Sequence, residues 1–143
     1  MRLLYAESSA VVAWLLDESV APTIERAFVA AEAVIASELT LLETERVLVR
    51  AETARALTPE QAERCRDRLR LASDHWMLMR IQGRLLERAG RPFPVEPVRT
   101  LDAIHLASAL QARDAVVSLA ILSLDRRIRE NALALGIDTT PDD

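Results

Sequence analysis

Residues 3–16 read LLYAESSAVVAWLL, and this stretch sets the fold class. The run at 2–6 is short and apolar, suited to a buried strand. Residues 8–16 then follow helical spacing and end near Asp17. A strand turning directly into a helix opens a parallel α/β unit. The alternation continues down the chain. Pro22 suits the first turn of a second helix, with Ile24, Ala27 and Phe28 at helical spacing. Residues 34–36 (VIA) read as a strand, and Ser37 as the cap of a helix to about Ala51. Thr58-Pro59-Glu60-Gln61 is a capping-box start for a helix to about Ala72. Residues 76–81 read as a strand, and 82–89 as a helix stopped by Gly90. The proline-rich stretch 91–97 is a loop, and Thr100 caps a helix to about Arg113. Residues 116–123 form a strand, 126–135 a helix ended by Gly136, and 137–139 a last edge strand. The pattern predicts an α/β fold: one domain over residues 1–143, with a short parallel sheet flanked by helices.

Composition removes several chemistries. All 18 basic residues are Arg, so Schiff-base chemistry and the Walker A lysine are excluded. A single cysteine, Cys65, forbids an internal disulfide and cysteine-rich metal sites. It sits in the helical stretch CRDRLR and reads as a packing residue. The opening segment lacks a signal-peptide pattern, and no apolar run approaches the roughly 18 residues that span a bilayer. A cytoplasmic protein without membrane contact is expected. The net charge of −4 argues against tight nucleic-acid binding by the whole surface but leaves room for a local basic patch.

Ligands of parallel sheets bind beyond the carboxyl ends of the strands, and acids cluster at those junctions here. Glu7 follows the first strand. Asp125 follows the last internal strand. Asp102 opens the helix TLDAIHLASAL, which is apolar nearly all round and therefore expected to be buried. Burying a lone carboxylate costs several kcal/mol unless it is paired or holds a metal. Each acid also has a plainer reading: Glu7 and Asp102 as first-turn acids favoured by the helix dipole, Asp125 as a cap. In the helix SELTLLETERVLVRA, Glu43 and Glu45 lie on different sides. Periodicity does not choose between them, and either can pair with Arg46 or Arg50. Several acids converging on one sheet edge repel one another. Hard cations such as Mg²⁺ or Mn²⁺ relieve that repulsion and accept substrate phosphates. The common use of such a pocket is metal-assisted phosphodiester cleavage.

These residues resemble a known family. LLYAESSAVVAWLLDE looks like the opening strand and helix of PIN-domain ribonucleases. SELTLLETERVLVRA is similar to their second motif, with the acid at Glu43 and Arg46 three residues later. VRTLDAIHLASAL closely matches the third, placing Asp102. ILSLDRRIRENALALGI looks like the fourth, placing Asp125, with Ser123 two residues before. The ordered set covers nearly the whole chain, and at this length the VapC-type toxins of bacterial toxin–antitoxin pairs fit best. The resemblance implies a three-layer fold and an endoribonuclease that uses a water activated by Mg²⁺ or Mn²⁺. Glu7, Glu43, Asp102 and Asp125 become the catalytic and metal-holding acids, with Ser9 and Ser123 orienting them. A cognate antitoxin, an RNA substrate and a homodimer are the implied partners. One departure stands out. Glu7 occupies a position where the family pattern has Asp, and the extra methylene moves the carboxylate by roughly 1–1.5 Å. An alternative is therefore an impaired PIN domain that binds RNA or protein without cleaving. Another metal phosphohydrolase is disfavoured because the DxD opening of haloacid-dehalogenase-like phosphatases is missing.

Residues 64–91 hold eight arginines against three acids. They read either as a solvated helix face or as a rim for RNA phosphates, through Arg64, Arg68, Arg84 and Arg88. His105 lies three residues after Asp102 and is expected to be a hydrogen-bonded core histidine rather than a ligand. His75 is expected to be structural. Trp14, Leu15 and Phe28 suit either the core or an apolar groove for a partner.

Overall fold

The computed structural model describes residues 2–116 and 118–142; Met1, Val117 and Asp143 lie outside the described residues. Strand β1 (Leu3–Ala6) leads into helices α1 (Ser8–Leu15) and α2 (Ala21–Ala30). Strand β2 (Ala33–Ser37) is followed by α3 (Glu38–Thr53) and α4 (Pro59–Ser73). Strand β3 (Met77–Met79) precedes α5 (Arg84–Ala89) and α6 (Thr100–Ala115). Strand β4 (Leu119–Leu122), α7 (Arg126–Ala134) and β5 (Asp138–Thr140) complete the chain.

The strands lie in the order β3-β2-β1-β4-β5, and every pairing is parallel. The period-2 alternation of side chains builds two cores. Leu4 and Ala6 of β1 face a layer containing Val11 and Trp14 of α1, Ile24 of α2 and Leu69 of α4. Tyr5 faces the opposite layer with Ala103, Leu106 and Ala109 of α6 and Ile128 and Ala132 of α7. Helix α5 packs on α6, and α3 bridges α1 and α4. The architecture is therefore helix–sheet–helix. Trp14 and Leu15 are buried. Phe28 sits edge-to-face on Trp14 at 5.1 Å and stacks on Trp76 at 5.6 Å, so these aromatics are core rather than an open groove.

Most element ends follow local chemistry that the sequence states. The Ser37 hydroxyl accepts from the Leu39 amide, and Thr58 with Gln61 forms the full capping box. Gly136 adopts φ +79°, the left-handed conformation that stops α7 and that only glycine takes without strain. Thr100 is not a cap. Arg99, in extended backbone, holds that position, because its carbonyl already accepts the first helical bond from the Ala103 amide at 2.8 Å. The 76–81 strand shrinks to three residues at the sheet edge, where Met77 and Leu78 are exposed.

The loop before α6 is held by two side chains. Glu96 accepts from the Phe93 amide at 2.7 Å and the Val98 amide at 2.6 Å. Buried Asn131 of α7 pairs with both backbone groups of Val95, at 2.9 and 3.0 Å. These bonds order the approach to α6, whose first turn carries Asp102. For the capping box, Thr58→Ala is expected to cost about 1 kcal/mol. Urea unfolding checks this as a lowered midpoint with an unchanged slope.

Candidate active site

The sheet reverses its winding at β1, which has β2 on one side and β4 on the other. In such sheets a crevice opens beyond the carboxyl ends of the strands at the reversal. Glu7 emerges there from β1, and Ser123 and Asp125 emerge from β4. Glu43 arrives on α3 and Asp102 on the first turn of α6.

Glu7 is only 4% exposed and stands at the N-cap of α1, with no side-chain cap bond. Its carboxylate turns instead to three hydroxyls. Ser8 donates to Oε1 at 2.9 Å, Ser123 donates to Oε2 at 2.7 Å, and Ser9 donates to the same Oε2. The cradle is fixed to the backbone, because the Leu124 amide donates to Ser9 and the Asp125 amide to Ser123. Ser8 also lies 3.0 Å from Oε1 of Glu43, so one hydroxyl spans two carboxylates. Glu43 Oε1 further meets His105 Nε2 at 2.5 Å. Burial alone would raise the Glu43 carboxyl, but the His105 and Ser8 contacts outweigh it and hold it below its ordinary value. Glu45 is exposed, and Glu43 is the one of the two that meets Ser8 and His105.

Asp125 does cap its helix, accepting from the Ile128 amide at 2.9 Å. It also contributes its charge to the pocket. Asp102 is partly buried and makes no hydrogen bond or ion pair with a protein group among the described residues. Burial raises its carboxyl above the usual value, and the charges of Asp125, Glu7 and Glu43 raise it further. The four acids therefore share one electrostatic neighbourhood. Among the described residues, no guanidinium forms an ion pair with any of them.

The fit to a divalent cation follows from this donor set. Among the described residues no three acidic, histidine or cysteine side chains close into a cage for a metal ion. Mg²⁺ does not require one, since it keeps several waters and takes one or two carboxylates. Asp102, ionisable, crowded by like charges and without a protein partner, offers what such an ion binds. Glu7 is the poorer donor, because both of its oxygens already accept hydroxyl protons.

Other candidate residues are not brought together. Arg64 and Arg68 lie on α4 in one helical layer, while Arg84 and Arg88 lie on α5 in the other. Arg68 caps the Trp14 ring at 4.2 Å and pairs with Asp17 and Glu25. The eight-arginine stretch is therefore not one continuous rim. Cys65 donates to the Leu15 carbonyl at 3.4 Å, and burial pushes its thiol up, consistent with packing. His75 is exposed in a turn. Sequence reading missed Ser8 and Tyr5. Ser8 directly follows an acid, and this adjacency was the available signal; Tyr5 looked like any strand core residue.

A model of the PIN domain matches residues 4–134. Ribonuclease VapC46 of Mycobacterium tuberculosis is 34% identical over 137 residues, covering 96% of this chain and 95% of that protein. The fold is similar to that of VapC20 of the same organism, described as a Sarcin-Ricin loop cleaving toxin. That match has a TM-score of 0.65 and 16% identity over 94% of this chain and 95% of that one. A structure of VapBC2 from Rickettsia felis, bound to a promoter DNA fragment, matches with a TM-score of 0.67 and 7% identity over 99% of both chains. With the fold, the ordered acids and these likenesses together, the chain belongs to the PIN domain family, within its VapC type.

Proposed function

We propose that this chain is the ribonuclease toxin of a toxin–antitoxin pair, hydrolysing RNA phosphodiester bonds at the acidic pocket. The observation that carries this is Asp102: partly buried, without a protein partner among the described residues, and raised by burial and by three neighbouring acids. Asp102 and the unbonded oxygen of Glu43 would be the first to hold Mg²⁺ or Mn²⁺, with Glu7 and Asp125 completing the acidic surround. A cation there supplies positive charge against the phosphate and lowers the pKa of a water. The chain's own contribution is positioning. Ser9 and Ser123 hold Glu7, Ser8 ties Glu7 to Glu43, and the α7 cap fixes Asp125.

RNA contact falls best to the groove of about 740 Å³ between α5 and α6, lined by Arg84, Arg88 and Arg113. Its α6 wall is Ala107, Leu110, Gln111, Arg113 and Asp114, on the helix that carries Asp102 but beyond its first turn. Arg64 belongs to the other layer, and Arg68 is paired with two acids, whereas among the described residues Arg88 and Arg113 bond only backbone carbonyls and, for Arg88, the Phe93 ring. A cognate antitoxin, a homodimer and a cytoplasmic location complete the proposal. They rest on the family and on the antitoxin complex among the structural relatives. No helix among the described residues is long and apolar enough to cross a membrane.

Asp102→Asn is expected to reduce RNA cleavage by more than about 100-fold, beyond the loss typical of residues that only support a metal ligand. EDTA should do the same to the unaltered protein. The variant should nonetheless be more thermostable at pH 7. Because the folded-state carboxyl is raised, its stabilising contribution is complete at low pH, below its unfolded value. That contribution is lost as pH rises through the raised value. Metal-free melting curves from pH 3 to 8 should show the difference between Asn and Asp forms opening in that rise. Cleavage surviving both EDTA and Asp102→Asn overturns the proposal.

Glu7→Asp tests the impaired-module alternative, which the occupied Glu7 oxygens favour. A shorter carboxylate withdraws from the Ser8, Ser9 and Ser123 hydroxyls, which favours leaving an oxygen for the cation. A rise in kcat with Mg²⁺ is expected, and equal or lower turnover contradicts this account of Glu7. Reversing Arg84 and Arg88 together to Glu should weaken single-stranded RNA binding. It should also flatten the log–log salt slope by about 1.4, at roughly 0.7 per phosphate contact.

A further inference from the structure

We propose that His105 is a positioning residue for Glu43: its imidazole, protonated on Nε2 and anchored by Tyr5, fixes how the Glu43 carboxylate enters the acidic pocket. The proposal rests on the reading of Glu43 as a metal-holding acid.

His105 is 1% exposed, and both ring nitrogens are occupied. Nδ1 lies 2.8 Å from the Tyr5 hydroxyl and Nε2 lies 2.5 Å from Glu43 Oε1. The oxygens of a carboxylate only accept. Nε2 must therefore carry the proton. In the neutral ring Nδ1 then accepts, and Tyr5, whose burial keeps its hydroxyl protonated, donates to it. The order is Tyr5 O–H to Nδ1, then Nε2–H to Glu43 Oε1.

This chain of bonds joins β1, α6 and α3, the elements that deliver Glu7, Asp102 and Glu43. Its effect on Glu43 is asymmetric. His105 and Ser8 both donate to Oε1, and no protein group donates to Oε2 among the described residues. The carboxylate is pinned by one oxygen and presents the other. Glu43 has three rotatable side-chain bonds and 24% side-chain exposure, so without the imidazole it is free to swing toward solvent. Ser8 alone does not prevent this, because its single proton is shared with Glu7.

The tautomer is tested first by ¹⁵N NMR on a His75→Asn background, which leaves one histidine. The expected signature is a slowly exchanging Nε2 proton whose resonance moves on Glu43→Gln; an Nδ1–H tautomer overturns the proposal. Next, Mn²⁺ binding by EPR and RNA cleavage are compared in His105→Leu and His105→Gln. Leu should weaken Mn²⁺ binding and lower kcat by about 10- to 100-fold with KM unchanged. Gln, whose amide N–H takes the place of Nε2–H, should recover most of both. A folded His105→Leu protein with unaltered Mn²⁺ affinity and kcat overturns the proposal. If His105→Leu does not fold, Tyr5→Phe keeps the ring and removes its anchor. A several-fold loss of Mn²⁺ affinity there supports the proposal, and an unchanged affinity overturns it. Loss of the nuclease reading shows instead as cleavage indifferent to Asp102→Asn, and the NMR measurement still decides the His105–Glu43 pair.

Discussion

Like charges that a fold forces together in a low-dielectric place repel, and this repulsion organises the molecule. The pocket holds four carboxylates, and each is handled by different means. Glu7 is surrounded by hydroxyls, Glu43 is met by an imidazole, and Asp125 is taken into a helix cap. Asp102 receives no such hydrogen bond among the described residues, and its carboxyl is raised first by burial and then by the charges of Asp125, Glu7 and Glu43, against a lowering by His105. In an unfolded chain these residues are far apart and the repulsion vanishes. The fold therefore gives up stability at this site, and a ligand of opposite charge recovers it.

Holding repelling groups in place needs a stiff frame. The central position of β1 provides one, since it is paired on both sides and packed by helices on both faces. Its Tyr5 faces the α6 layer while its Leu4 and Ala6 face α1, so a single strand is registered against both cores. The loop before α6 is the weaker part. Proline removes amide donors there, and ordering falls to Glu96 and Asn131, which bond the remaining backbone groups. That clamp stands close to two of the acids in sequence, with Glu96 just ahead of Asp102 and Asn131 on the helix that Asp125 caps, and it ties the approach to α6 onto α7.

Much of this was legible in the sequence, and the boundary of legibility has a physical reason. Strand and helix order followed from apolar periodicity and caps, which are local. Ser37, Thr58 and Gly136 behave as their chemistry demands wherever they occur. The first-turn acid Asp102 was readable because a charge on an almost wholly apolar helix contradicts its surroundings. The choice of Glu43 over Glu45 came from the family resemblance and not from periodicity, because both satisfy the helix pattern; in the structure Glu43 is the one that meets Ser8 of α1. Arg84 and Arg68 looked equivalent for the same reason. Charge density along the chain says nothing about which layer a helix joins. The Tyr5–His105–Glu43 chain was invisible, since it depends on three elements meeting, and a strand tyrosine at a core position carries no mark of its hydroxyl's partner.

Glu7 shows how far local accommodation reaches. A methylene longer than the family pattern's Asp, it would be expected to crowd the head of α1. Instead the added length is absorbed by seating the carboxylate among Ser8, Ser9 and Ser123, two of which are themselves held by backbone amides. Each contact is a charge-assisted hydrogen bond, stronger than its neutral counterpart, and the helix N-terminus adds its own favourable field. Glu7 is thus well satisfied as part of the fold while being poorly disposed to give an oxygen to a cation. Stability and chemistry make opposite demands on the same carboxylate, and the hydroxyls that meet the first are the ones that oppose the second. The burden of cation binding shifts accordingly to Asp102 and to the unbonded oxygen of Glu43, which is why the orientation of that one side chain matters more here than it would beside a shorter acid.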